Sequence, residues 1–116
     1  YCTSMGRVLL SGLDPKELIN YFSRVRIAPH TARTQTSADK LRAIVENLRA
    51  RDCAIVDQEL EIGLRSISVP VRDAHGRIAA AINISVQATR MSTADMEARL
   101  KPPLVAAAHE LGLLLN

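Results

Sequence analysis

Three groups of residues in this chain have types and spacing that could do chemistry. The first is Thr3-Ser4-Met5, where hydroxyl residues open an apolar-periodic run. A helix starting there leaves its first backbone N–H groups without partners and adds the positive end of its macrodipole, so a small carboxylate fits if a pocket covers it. The plainer reading is that Ser4 only caps the helix. The second group is Asp57 to Ser66, DQELEIGLRS, with three carboxylates and one arginine between two strand-like runs. A solvated loop accounts for such a run. Alternatively, Asp57 at a strand end and Ser66 on the less greasy face of a strand turn into a cavity and hydrogen-bond a polar ligand. Asp57, Glu59 and Glu61 become an acid/base pair only if one of them is buried. The third group is Ser4, His30 and Asp57, the residue types of a nucleophilic triad, but their spacing has nothing of a nucleophile elbow.

The remaining reactive residues are scattered. His30 follows Pro29 in a loop, His75 sits in a turn and His109 on a helix, none with a second His or a Cys at ligand spacing. Cys2 and Cys53 belong to no Cys-x-x-Cys pattern, which fits reduced thiols in a cytosolic protein and predicts no metal. Cys2, beside a helix start, is either a thiol of lowered pKa or an inert one. Gly6 stands alone, with no phosphate-cradling glycine motif, so no cofactor is expected.

The elements that must position these groups follow from periodicity and punctuation. Met5, Val8 and Leu9 continue the run begun at Thr3 or Ser4, and Gly12 closes it. Asp14-Pro15-Lys16-Glu17 combines a cap, a proline at the first helical position and an acid three residues after the cap, predicting a second helix. Residues 25–36 lack helical periodicity and read as a loop. Ser37 caps a third helix with its buried stripe at Leu41, Ile44, Val45 and Leu48, ending near Asp52. Strands are predicted at Cys53–Asp57, Leu64–Arg72 and Ile78–Val86, the last two joined through Asp73-Ala74-His75-Gly76 as an antiparallel hairpin. Alternation puts Ile67, Val69 and Val71 on one face and Leu64, Ser66 and Ser68 on the other. In the next strand, Ile78, Ala80, Ile82 and Ile84 oppose Ala79, Ala81, Asn83 and Ser85. A last helix starts at Ser92 and is expected to break or kink after Leu100 at Pro102-Pro103. Three helices, three antiparallel strands and a helix make an α+β domain in which helices flank an antiparallel sheet.

The chain has 116 residues, 15 Lys+Arg against 12 Asp+Glu, and is 47% hydrophobic. That is one packed domain or a piece of one, and it excludes a disordered tail. Its core must be aliphatic, because Tyr1, Tyr21 and Phe22 are the only aromatic residues. The small charge excess is dispersed and lacks interleaved aromatics, so this segment is not expected to bind nucleic acid. No apolar stretch approaches the roughly 18 residues of a membrane span. The chain opens at Tyr1 without an initiator methionine, which suggests a piece of a longer polypeptide.

The segments CTSMGRVLLSGL, VDQELEIGLRSISVPVRDAHGRIAAAINIS and STADMEARLKPPLVAAAHEL resemble the effector-binding domain of the IclR family of bacterial transcription regulators. The likeness is greatest to its PcaR/PcaU/PobR-type branch, which governs catabolism of protocatechuate, p-hydroxybenzoate and β-ketoadipate. It covers essentially the whole chain and is most specific in the VDQELEIGLRSISVPVRD block. The resemblance implies a cytoplasmic, non-enzymatic ligand sensor that forms a homo-oligomer, either dimer or tetramer. It further implies that this chain is the later part of a GAF-like domain, with the start of that domain and a DNA-binding winged helix-turn-helix lying upstream. Carried over by position, it implies effector contacts from Ser4 and Met5 amides, Asp57, Leu64 and Ser66, with Leu9 and Leu10 as wall residues. A dicarboxylate effector would need a second donor, and charge alone nominates Arg33 or Arg65. The competing readings are an oligomerisation domain with a vestigial pocket and, third, an enzyme.

Overall fold

The computed structural model describes residues 1–115 of the chain. Helix α1 (Ser4–Ser11) is capped by Thr3, whose Oγ1 accepts the Gly6 N–H at 2.9 Å. Ser4 is thereby left in the first turn with its own hydroxyl uncommitted to capping. Gly12 ends α1 in a right-handed conformation. Helix α2 (Pro15–Arg24) starts with the complete capping box of Asp14 and Glu17. Helix α3 (Ala38–Arg51) is capped by Ser37 and ends at Asp52, which takes a left-handed conformation.

Three strands, β1 (Ala54–Asp57), β2 (Leu64–Arg72) and β3 (Ile78–Gln87), form one antiparallel sheet in that order. The β2–β3 turn is held by Asp73, whose carboxylate accepts the amides of His75 and Arg77, and Gly76 supplies a φ of +75°. Because β2 is central, its two faces separate the layers. Ile67, Val69 and Val71 pack with Met96, Leu104 and Ala108 of helix α4 (Thr93–Leu113), joined by Ile55, Ile82 and Ile84. Burying each such side chain fully contributes about 1.5–3 kcal/mol.

The opposite face carries Ala54, Val56, Ser66, Ser68, Ala81, Asn83 and Ser85, consistent with the register Val56↔Ser66↔Ser85. Helix α1 lies over this face, and Val8 packs with Leu48, Ala54, Ile78 and Ala81. Beyond it, Leu10, Leu18 and Val45 join α1, α2 and α3. Ser68 is fully buried there and donates its hydroxyl to the Ile82 carbonyl at 2.8 Å.

The break expected in the last helix and the face expected for Ile78 are corrected. Helix α4 runs unbroken through Pro102 and Pro103. The carbonyls that lose their helical donors belong to Ala98 and Arg99, both exposed, so water can satisfy them while Met96, Leu104 and Ala108 hold both halves on the sheet. Ile78 does not share a face with Ala80. The register steps from Val71↔Ala80 to Arg72↔Ile78, an irregularity that turns Ile78 toward Val8 and Leu48.

Candidate functional site

A cavity of about 190 Å³ lies between the start of α1, the polar face of the sheet and the loop that joins β1 to β2. Each wall has a local cause. The cap at Thr3 orients the first turn of α1 so that Ser4 and Met5 face the sheet side, and helix geometry leaves their N–H groups without intrahelical partners. Alternation in β2 brings Leu64 and Ser66 to the same space, and cross-strand pairing adds Val56, Asn83 and Ser85. Cys2, Thr3, Leu60 and Glu61 complete the wall. Gln58 and Gly63, at φ +60° and +90°, let the loop turn, and the Gln58 side chain closes it by accepting the Gly63 N–H at 3.0 Å.

Four of the five residues named from sequence, Ser4, Met5, Leu64 and Ser66, therefore meet at one cavity. Ser66 Oγ donates to Ser4 Oγ at 2.8 Å, joining the helix start to the sheet, and Ser4 is only 1% exposed. Asp57 is not among them. It follows Val56 by one residue, so the pleat turns it to the α4 face. There its Oδ1 accepts Arg65 Nε at 2.7 Å and Gln58 Nε2 at 3.1 Å, while its Oδ2 accepts Arg33 Nη2 at 2.9 Å. Burial pushes the Asp57 carboxyl up, but the hydrogen bonds from Arg65 and Gln58 and the charges of Arg65 and Arg33 outweigh it and hold it below the ordinary carboxylate value.

The same contacts account for both arginines considered as second donors. Arg65 is spent on Asp57 and on the carbonyls of Ala88 and Met91, and Arg33 on Asp57. Leu9 is exposed and Leu10 is packed with Leu18 and Val45, so neither lines the cavity. The triad types are likewise dispersed, with Ser4 bonded to Ser66 and Asp57 to arginines. Burial raises the Cys53 thiol, the opposite of what a nucleophile needs. Among the described residues no cluster of three metal-ligating side chains occurs, and no helix is long and apolar enough to cross a membrane.

Sequence reasoning missed Asn83, Ser85, Val56, Leu60, Glu61 and Cys2 as lining residues. The signal for the first two was present, since the alternation already put Asn83 and Ser85 on the less greasy face. The arrangement that results has apolar walls, several neutral hydrogen-bonding groups, one acidic residue, Glu61, and helix-start amides. It can hold and orient a small polar molecule.

Comparison with known proteins finds relatives of the same fold. Residues 1–113 match the family described as bacterial transcriptional regulator IclR C-terminal. The chain is 43% identical to the Pca regulon regulatory protein of Pseudomonas putida over 96% of its own length and 38% of that protein. It is 32% identical to the p-hydroxybenzoate hydroxylase transcriptional activator of Acinetobacter baylyi, over 96% of this chain and 41% of that one. Among solved structures, it superposes with a TM-score of 0.93 and 31% identity on a double mutant of the PobR transcription factor inducer-binding domain from Acinetobacter in complex with 3-hydroxybenzoic acid. That match covers 98% of this chain and 65% of the other. The chain spans less than half the length of the curated relatives it matches. Those relatives are named as regulators of transcription or of a regulon. On the match across nearly its whole length, the chain belongs to the C-terminal family of IclR bacterial transcriptional regulators.

Proposed function

We propose that this domain senses a small organic acid of aromatic catabolism and transmits its binding to DNA recognition elsewhere in the protein. The observation that carries the reading is the convergence of the α1 amides of Ser4 and Met5 with Ser66 at one partly apolar cavity. The acid's carboxylate sits against the α1 start, where hydrogen-bond donors and the macrodipole both favour an anion. Leu60, Leu64 and Val56 flank its carbon skeleton, and Asn83 and Ser85 supply polar partners for a hydroxyl or keto group. The volume suits a small acid, below the roughly 300 Å³ at which sites for drug-sized ligands begin. Asp57 acts from behind, fixing Arg65 and the strand ends.

The neighbour solved with 3-hydroxybenzoic acid and the names of the relatives support protocatechuate, p-hydroxybenzoate or β-ketoadipate as the effector class. The solved inducer-binding domain extends beyond the region matched here, which supports reading residues 1–116 as the later part of a GAF-like domain. In this reading a winged helix-turn-helix lies upstream, the protein is cytoplasmic, and homo-oligomers bind DNA. Regulation requires that the acid bind the two quaternary arrangements with different affinity, since equal affinity shifts nothing.

Calorimetric titration of the full-length protein with these acids and 3-hydroxybenzoate tests the reading. Saturable binding of one acid without its consumption supports the sensor. Silence across the panel refutes it and favours an oligomerisation domain with a vestigial pocket.

A further inference from the structure

Arg7 is a charged side chain at 2% exposure, and the contacts of the cavity do not use it. Its guanidinium forks onto Glu59, with Nη1 donating to Oε2 at 2.8 Å and Nη2 to Oε1 at 2.7 Å, while Nε donates to the Tyr1 carbonyl at 2.7 Å. Glu59 Oε1 also accepts the Gln35 N–H at 2.9 Å, and the backbone carbonyls of Gln58 and Glu59 accept the hydroxyls of Thr31 and Thr34. Such a buried pair is a weak source of stability, because desolvating both ions offsets most of their attraction and apolar residues of similar volume often do as well. What a fork on a carboxylate does supply is direction as well as distance.

The location gives that direction a use. Ser4 and Met5 lie within the turn preceding Arg7 on α1, and Leu60 and Glu61 follow Glu59 immediately. The two cavity walls that do not belong to the sheet are thus tied together, behind the cavity, by one ion pair. We propose that Arg7 and Glu59 are positioning residues of the cavity: they hold the first turn of α1 and the loop 58–63 at the separation that lets one bound acid touch both. Neither lines the cavity. The proposal rests on the acid-binding reading of this site.

The test compares the full-length protein with Glu59→Gln and with the double variant Arg7→Met/Glu59→Met, which leaves no ion buried alone. Calorimetric binding of p-hydroxybenzoate, protocatechuate, 3-hydroxybenzoate and β-ketoadipate is measured beside thermal unfolding and amide exchange of residues 4–6 and 58–63 without ligand. The double variant should unfold within a few degrees of the wild type yet exchange faster in both segments. It should bind the recognised acid roughly 10-fold or more weakly, as when groups that orient direct ligands are removed. Wild-type affinity and exchange in the double variant would overturn the proposal, leaving the pair a structural contact. If the wild type binds none of the four acids, the acid-binding reading has failed. Exchange then decides alone, faster exchange at both segments supporting the positioning role and unchanged exchange overturning it. Should the double variant not fold, Glu59→Gln, which keeps the side-chain shape, is judged by the same criteria.

Discussion

Replacing Ser66 with alanine removes the donor from the hydroxyl pair that joins α1 to β2. Ser4 Oγ, in a residue 1% exposed, then loses its 2.8 Å partner. A buried polar group left unsatisfied costs about 1–3 kcal/mol. Here the adjoining cavity of about 190 Å³ has room for water, whose share of liquid volume is about 30 Å³. The cost should therefore fall at the low end, about 1 kcal/mol, or roughly 4 °C in Tm for a domain of this size. Ser4→Ala alone orphans Ser66 in the same way. The double replacement leaves neither group stranded and should lie within about 0.5 kcal/mol of the wild type. A urea-unfolding double-mutant cycle would then show a coupling of about 1.5–2 kcal/mol. Acid binding should behave differently, weakened in both single variants and not recovered in the double one, because both serines line the cavity proposed for the acid. Stability losses that simply add would refute the pairing, and unimpaired binding in the double variant would refute its place in the site.

Further outcomes follow from other contacts. A Cβ added at Gly112 would come within 2.5 Å of the Arg72 carbonyl oxygen, a backbone atom that cannot move aside, so Gly112→Ala should destabilise by about 1–3 kcal/mol; an unchanged urea midpoint would contradict the close approach of α4 to β2. Pro103→Ala restores a helical donor to the exposed Arg99 carbonyl and should raise the melting temperature, by up to about 3 kcal/mol of stability; a lower one would mean that the prolines shape α4 to the sheet. Because the Asp57 carboxyl is held below its ordinary value of 3.8, its ionised form contributes stability above that pH, which is lost as pH falls through the lowered value. The stability gap between wild type and Asp57→Asn should accordingly be largest near neutral pH and shrink as the pH falls below 3.8, as read from urea midpoints; a gap independent of pH would exclude the charge of Asp57 as its source.

Much of this architecture was written locally. The caps at Asp14, Ser37 and Ser92, the stripe Leu41, Val45 and Leu48, and the alternation of β2 each depend on residues within a few positions of one another. Their element types and boundaries could therefore be read directly from the chain. The same alternation placed Leu64 and Ser66 on one face, and the helix start at Ser4 and Met5 was visible from its hydroxyl residues. What the sequence could not decide were outcomes of pairing and packing. The single-residue parity that turns Asp57 away from Val56, and the register step that redirects Ile78, depend on how β1 and β3 dock against β2. Pro102 and Pro103 stay helical because the carbonyls they leave face water, a matter of exposure that local propensity does not contain. Arg7 meets Glu59 across 52 positions, and no periodicity links residues so far apart. The chain by itself determined which surfaces were apolar, polar or free to donate. Only the tertiary structure decided which of them would face one another across the cavity, because that choice is made by packing α1 and the β1–β2 loop against a shared sheet.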